Sequence, residues 1–146
     1  MDDCLICAKH RGEGPLVGPE IWRDDLVAVS HGSPGDDGVL LGYLFVETLR
    51  HAPHLDDLTD VEAAAVGSVA RRAAIAIRSE LDPEHVFSAV IGRGIPHFHQ
   101  HVFPRHRGVP DETPWHDSAY APEAPRGGAA EVTALAERLR RYFTAV

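Results

Sequence analysis

The sequence predicts an α+β domain built on an antiparallel sheet of about five strands. Its 146 residues fit one compact domain, with no room for a second of ordinary size. Short apolar segments follow one another without alternating helices, and that order favours an antiparallel sheet over a doubly wound parallel sheet. Two segments with helical patterning complete the prediction, a central helix at about 60–80 and a C-terminal helix at about 129–143.

The predicted strands are short apolar runs bounded by turn-forming residues. The loops between them are rich in Gly, Pro and Asp, as at 31–38 and 92–94. The predicted strands lie at 21–22, 26–29, 42–47, 85–91 and 97–103. Residues 1–19 are predicted to be irregular, and residues 104–128 are predicted to form a long ordered loop or arm because the segment is rich in proline.

The central helix has clear start and stop signals. Thr59 and Glu62 have the spacing of a capping box, in which each side chain serves a free backbone N–H of the first turn. The helix is expected to end at Asp82-Pro83, because the residue before proline disfavours helical geometry. The C-terminal helix is predicted from the apolar stripe that Val132, Leu135 and Leu139 form.

The charge balance narrows the classes of partner. The net charge is −8 and the pI is near 5.6, which argues against nucleic-acid and anionic-membrane surfaces because both need clustered cations. A small anionic ligand needs only a local pocket of hydrogen-bond donors, so the net charge does not exclude one. Lys9 is the only lysine, so a Walker-type phosphate loop is absent. With neither a signal-peptide pattern nor a long apolar stretch, the sequence predicts a cytoplasmic protein.

Histidine is unusually abundant, with ten residues in the chain. On a strand, His97, His99 and His101 would share one face, about 6.5–7 Å apart in succession, with Phe98 and Val102 on the other face. The alternative is that these histidines form the polar face of an edge strand and have no chemical role. Two chemical interpretations compete, a three-histidine metal centre and a nucleophilic histidine oriented by its neighbours. The spacing favours the second, with the central His99 as the nucleophile.

The cysteine pair Cys4-x-x-Cys7 is a candidate metal or redox site, because structural disulfides are rare in the cytosol. Two thiols without a special role are the other interpretation. A redox pair of the thioredoxin type would lie at a strand-to-helix junction, whereas this pair falls in a segment predicted to be irregular. A closed four-ligand zinc site of the Cys₂His₂ type is favoured.

Two motifs in the right order resemble those of the histidine triad (HIT) superfamily of nucleotide hydrolases and transferases. The first is His-φ-His-x-His-φ-φ at 97–103, where φ is a hydrophobic residue, and the second is the apolar run from Gly42 to His51. Thr48 and Leu49 replace the Pro and Lys/Arg that are usual in the second motif. The resemblance covers about residues 4–105, and the arm and helix at 106–146 are less recognisable.

The resemblance implies a catalytic role for each histidine of the triad. His99 would take a nucleotidyl group on Nε2, and His101 would contact the α-phosphate. The backbone carbonyl of His97 would accept from His99 Nδ1–H. The implied activity is hydrolysis at the α-phosphate of a nucleotide conjugate such as a dinucleoside polyphosphate or a nucleoside phosphoramidate. His101 stands where the uridylyltransferase branch has Gln, which favours a hydrolase over a transferase; a non-catalytic, zinc-stabilised nucleotide-binding protein is a further alternative.

The resemblance also implies a structural zinc ion and a homodimer. The zinc ligands would be Cys4, Cys7, His51 and His97, with His54 as the alternative to His51. Relatives of this type pair through a shared sheet edge and the main helix, and an open edge strand in a domain of this size favours such pairing.

Four residues are candidates for binding the substrate: Trp22, Val29, Arg93 and His101. Trp22 and Val29 occupy the region that resembles the base-binding wall of the family, although core strands are the alternative. Arg93 lies in the turn before the triad and could bind a phosphate or face solvent. His31 stands near the position where the family often has an acidic residue for the ribose hydroxyls.

Overall fold

The computed structural model describes residues 3–144 and contains a five-stranded antiparallel sheet with helices, as predicted. The strand order across the sheet is β1-β2-β4-β6-β5, and β3 pairs with β7 in a separate small ribbon. The elements are α1 (Leu5–His10), β1 (Glu20–Arg23), β2 (Val27–His31), β3 (Val39–Leu40), β4 (Leu44–Thr48), α2 (Asp60–Leu81), β5 (His85–Val90), β6 (His99–Arg105), β7 (Arg126–Gly127) and α3 (Ala129–Thr144). No helix in this part of the chain is long and apolar enough to cross a membrane.

The two faces of the sheet have different roles. On the inner face, Val29 pairs with Val46, and both are fully buried in the core beneath α2 and α3. On the outer face, Phe45 pairs with His101 and Glu47 pairs with His99, because side chains directly opposite each other on paired strands point to the same side. The register between β4 and β6 therefore gathers His99 and His101 with Phe45 and Glu47 on one surface.

The C-terminal arm packs against one end of this outer face. Arg105, which is buried, donates hydrogen bonds to the carbonyls of Pro110 and Thr113 and thereby organises the first turn of the arm. A second small core, separate from the one beneath α2 and α3, joins the arm to the sheet. It contains Leu40, Phe103, Val109, Ala119, Ala121 and Ala124.

The central helix follows the sequence prediction closely. Thr59 and Glu62 form the predicted capping box, and the Arg50 guanidinium forms an ion pair with Glu62 at 2.8 Å. At the other end, Asp82 has a left-handed φ of 45° and terminates the helix before Pro83. Both ends are therefore set by local residues that can be recognised without knowledge of the tertiary structure.

We expect Glu62→Gln to lower the free energy of unfolding by up to about 1 kcal/mol at pH 7, because glutamine can still serve the capping box but removes the charge that pairs with the half-exposed Arg50. The hydrogen bond from Arg50 lowers the pKa of Glu62 to about 2, and the Thr59 N–H acts in the same direction. Because the pKa of Glu62 in the folded protein lies below the ordinary value of 4.5, the ionised carboxylate stabilises the fold at a pH above 4.5. This stabilisation is lost as the pH falls through about 2.

Urea unfolding of both proteins at pH 7 and near pH 2 tests this prediction. The difference between them should be largest at pH 7 and should shrink on acidification. Glu112→Gln, at an exposed position of the arm, is the matched control. A difference that grows on acidification would contradict the assignment.

Three sequence predictions about local structure are wrong. Residues 5–10 form α1 in a segment predicted to be irregular, and its first turn is capped by Cys4 Sγ, which accepts from the Cys7 N–H. The predicted strand at 97–103 begins at His99 instead, because the Phe98 N–H donates to the Ala52 carbonyl, outside the strand ladder. The arm at 104–128 also contains a short 3₁₀ helix, Trp115–Tyr120, and β7.

Candidate functional site

A cavity of about 600 Å³ opens on the outer face of the sheet. Its floor contains Phe45, Glu47, His99 and His101. The walls come from four segments that are distant in sequence: α1 with the chain that follows it, the loop after β2, the turn at 91–95, and the arm. The residues that line it are mixed, with aromatic and aliphatic side chains alongside cationic ones.

His99 has one ring nitrogen engaged and one free. The distance from His99 Nδ1 to the backbone oxygen of His97 is 2.7 Å. Since a carbonyl only accepts, Nδ1 carries the proton, and Nε2 of the neutral ring holds a lone pair. This is the tautomer that a nucleophilic Nε2 needs.

His101 lies beside His99, with the two ring centroids 5.2 Å apart. Its Nδ1 is 2.7 Å from the Tyr43 hydroxyl oxygen. Burial, and to a lesser extent the neighbouring His99, lowers the pKa of His101 to about 4. His101 is therefore neutral at pH 7.

Four potential metal ligands, none of which lines the cavity, converge in a separate cluster: Cys4, Cys7, His51 and His97. Their ligand atoms all lie within 4.8 Å of one another. Within the described residues 3–144, this is the one cluster of three or more such side chains, and His99 and His101 lie outside it. His54, the alternative ligand, is exposed and outside the cluster. This arrangement does not support a metal centre made of the three triad histidines.

The distances within the cluster fit a tetrahedral ion. His97 Nδ1 is 3.4 Å from both sulfur atoms and 3.3 Å from His51 Nδ1, and Cys7 Sγ is 3.5 Å from His51 Nδ1. Zn–S bonds of about 2.3 Å and Zn–N bonds of about 2.0–2.1 Å imply tetrahedral edges of about 3.6 Å between S and N and about 3.3 Å between the two nitrogens.

The other nitrogen of His97, Nε2, is 2.7 Å from the Thr48 carbonyl oxygen and donates to it. This hydrogen bond leaves Nδ1 free as a ligand, since a histidine that binds a metal through one ring nitrogen usually donates from the other. The chemistry and the geometry of the four residues are those of a closed structural zinc site.

Comparisons with known proteins agree with this geometry at the level of the fold. No protein-family model matches the sequence, and a search of curated proteins found no match. Solved structures do match. A HIT-like protein from Bartonella henselae, described as involved in cell-cycle regulation, has a TM-score of 0.72 at 17% identity, and the match covers 97% of each chain. A zinc-bound histidine triad family protein from Mycobacterium smegmatis has a TM-score of 0.69 at 21% identity, covering 97% of this chain and 93% of that one.

A third match is a hypothetical histidine triad nucleotide-binding protein from Sulfolobus tokodaii, with a TM-score of 0.72 at 19% identity, covering 95% of this chain and 91% of that one. The chain has the histidine triad fold. At these identities, the comparisons establish the architecture and leave the activity to be argued from the residues.

The histidine triad fold places two of the predicted substrate-binding residues on the wrong side of the sheet. Val29 is on the inner face, fully buried. Trp22 pairs with Val29, shares its face and stacks on Phe143 of α3 at 6.1 Å. Neither residue lines the cavity, so their assignment to a base-binding wall is wrong. Arg93 and His101 do line it, as expected of substrate-binding residues.

A buried charged network, which the sequence does not predict, lies beside the histidine triad. Lys9 Nζ is 2.5 Å from a Glu47 carboxylate oxygen and 3.2 Å from Ser30 Oγ, and His10 Nε2 is 2.9 Å from the other carboxylate oxygen. Burial opposes ionisation of Glu47, but His10 and Lys9 lower its pKa overall. The lone lysine and the acidic residue inside an apolar strand were the available signals, but their contact depends on the packing of α1.

In this histidine triad fold, His31 forms part of the cavity wall and is a neutral residue. Its Nδ1–H donates to the Gly32 carbonyl at 3.0 Å, and its Nε2 accepts from the Gly42 N–H at 2.9 Å. Burial lowers the pKa of His31, and the Gly32 carbonyl only partly opposes this effect. Both ring nitrogens are bonded to the backbone. His31 therefore shapes the wall and does not supply the charge of an acidic residue.

Proposed function

We propose that the protein is a histidine triad nucleotide hydrolase that works through a covalent nucleotidyl group on His99. The single observation that carries the proposal is the tautomer of His99. Its Nδ1–H donates a hydrogen bond to the His97 carbonyl, so Nε2 is the nitrogen available at the cavity floor. A neutral imidazole nitrogen of this kind is an effective nucleophile at pH 7.

The proposed reaction has two displacement steps. His99 Nε2 attacks the α-phosphorus, a P–N bond forms, and the bond from phosphorus to the leaving group breaks. The ring then carries a positive charge, which the His97 carbonyl stabilises through Nδ1–H. Water next attacks the phosphorus, the P–N bond breaks, a nucleoside monophosphate leaves, and a proton passes to solvent.

The lining of the cavity supports a nucleotide as the substrate. Arg93 and Arg126 provide positive charge; Arg126 donates to backbone carbonyls, and neither arginine forms an ion pair with a carboxylate among the described residues. Tyr43, Phe45 and Tyr120 provide aromatic surface. A ligand with an anionic end and a planar apolar end matches this distribution.

We also propose that the cysteine–histidine cluster binds a structural zinc ion. When bound, zinc supplies a rigid tetrahedral cross-link and keeps both thiols deprotonated. His97 joins the metal cluster through its side chain and orients His99 through its carbonyl. The cluster would stiffen the start of β6 without touching the substrate. Thiolate ligands persist in a reducing compartment, so a cytoplasmic location is part of this proposal.

A substrate panel tests the function. It should contain dinucleoside polyphosphates, nucleoside phosphoramidates, acyl adenylates and nucleotide sugars, with products separated by chromatography and the protein examined by mass spectrometry for a nucleotidyl adduct. Release of a nucleoside monophosphate through an adduct on His99 supports the hydrolase. Transfer to a second acceptor would indicate a transferase, and binding without turnover a nucleotide-binding protein. Failure to bind any of these compounds would reject a nucleotide-directed function.

We propose that two copies of the chain pair through β5 and α2. β5 is an edge strand with one side unpaired, and Val90 at its end is 40% exposed. The outward face of α2 exposes Val61 and Ile75 together with small side chains that permit close approach. Both surfaces would be covered in a two-fold dimer.

Light scattering at micromolar concentration should give twice the chain mass of 15.9 kDa. Ile75→Glu, which places a charge on the exposed face of α2, is expected to shift the population to monomer. Val17→Glu is a matched control, since Val17 is 41% exposed and Ile75 is 40% exposed. A wild-type mass equal to that of one chain would reject the dimer.

A further inference from the structure

We propose that Tyr43 is a positioning residue that holds His101 as the tautomer with its proton on Nε2. His101 would then present a hydrogen-bond donor to the cavity, beside a His99 that presents a lone pair. The catalytic consequence rests on the proposed function, whereas the tautomer itself is a property of the free protein.

The contact between the two side chains is short and well supported. Tyr43 Oη is 2.7 Å from His101 Nδ1. The Tyr43 ring stacks on Phe103, with centroids 4.9 Å apart and planes within 5°, and it also packs against Phe45 at 5.2 Å. Two aromatic neighbours therefore fix the direction in which the hydroxyl points.

The direction of this hydrogen bond follows from the partners available. Within residues 3–144, His101 is the one hydrogen-bond partner of the Tyr43 hydroxyl. If the hydroxyl donates, its proton is hydrogen-bonded to His101; if it accepts, its proton has no partner among these residues. Burial raises the pKa of Tyr43 to about 12, so the hydroxyl keeps its proton at pH 7. His101 is neutral, as described above. A neutral imidazole that accepts on Nδ1 carries its proton on Nε2.

Two adjacent histidines are thus set in opposite tautomers by different partners. The His97 carbonyl accepts from His99 and leaves a lone pair on its Nε2. The Tyr43 hydroxyl donates to His101 and leaves a proton on its Nε2. One nitrogen can attack phosphorus, and the other can donate to a phosphate oxygen on which negative charge builds up in the transition state.

Nitrogen-15 NMR of the imidazole rings at pH 7 tests the inference on the full chain. His101 signals are assigned by their loss in His101→Gln. We expect the wild-type protein to show a protonated Nε2 and an unprotonated Nδ1 at His101. In Tyr43→Phe both shifts should move toward the average of the two tautomers. Tyr142→Phe, which removes a hydroxyl bonded to Glu80 on the far side of the protein, should leave them unchanged.

Two results would overturn the inference: a wild-type His101 protonated on Nδ1, or His101 shifts that Tyr43→Phe does not change. The wild-type spectrum tests the tautomer even if the variant fails to fold, and a His101 protonated on Nδ1 would by itself reject the role of Tyr43. Where a substrate is turned over, Tyr43→Phe should lower kcat by about tenfold with a smaller change in KM, the size of one net hydrogen bond made in the transition state. Absence of turnover would count against the proposed function and leave the tautomer measurement intact.

Discussion

His99→Ala is expected to lower kcat by about 10⁴-fold or more, because it removes the proposed nucleophile. His101→Ala should cost less, since it removes a phosphate contact and leaves the nucleophile in place. His97→Ala should act mainly on folding, because the His97 side chain belongs to the metal cluster. The order of these effects is as informative as their size, and steady-state kinetics on a turned-over substrate measure it.

Two controls separate chemistry from folding. His54→Ala removes an exposed histidine outside the cavity and the cluster, and it should retain wild-type kcat. His99→Gly leaves space in which added imidazole can act as the nucleophile, so partial rescue by imidazole is expected. If His99→Ala folds and keeps wild-type activity, the covalent mechanism is wrong.

Cys4→Ser is expected to abolish stoichiometric zinc binding and to lower the free energy of unfolding by about 3 kcal/mol or more, since the binding energy of a structural zinc ion contributes directly to folding. For a chain of this length, that loss corresponds to a drop in Tm of about 10 °C. Cys4 is buried and also caps α1, but serine is itself a favoured N-cap residue, so the substitution should act mainly through the loss of the metal ligand.

Elemental analysis of untagged protein should find about one zinc per chain in the wild type and almost none in Cys4→Ser. His54→Ala is again a suitable control, because it removes a nearby histidine that is not part of the cluster. Chelation of the wild type should reproduce the loss of Tm, and added zinc should restore it. Purified wild-type protein without zinc, as stable as after zinc is added, would contradict the assignment.

The features that were predictable from the sequence are those with local causes. The α2 boundaries depend on Thr59, Glu62 and Asp82, all of which act within a few residues. The helix α1 was missed because six residues are too few for a clear apolar period, and its cap is an unusual one, a cysteine sulfur. The sequence predicts the start of β6 two residues too early. The Phe98 N–H donates a hydrogen bond to the Ala52 carbonyl outside the strand ladder, and the spacing of residues in the sequence does not reveal this contact.

The candidate site likewise contains residues whose positions the sequence predicts and residues whose contacts depend on the tertiary structure. The cluster residues Cys4, Cys7, His51 and His97 come together as their motifs predicted. The partnership of Tyr43 with His101 depends on the register between β4 and β6, which a single sequence does not specify. The prediction for Val29 fails for a simpler reason, because neighbouring residues of a strand point to opposite faces of the sheet and Val29 points into the core.

The separation of the sheet into an inner and an outer face has a consequence for engineering. His99 and Tyr43 lie on the cavity side, whereas Val46 and Leu139 lie in the core beneath the helices. Substitutions that share no partners usually combine additively in free energy. A library confined to the cavity walls should therefore alter specificity while leaving the packing of the core unchanged, and stabilising changes in the core can be introduced first to offset any destabilisation that new specificities bring.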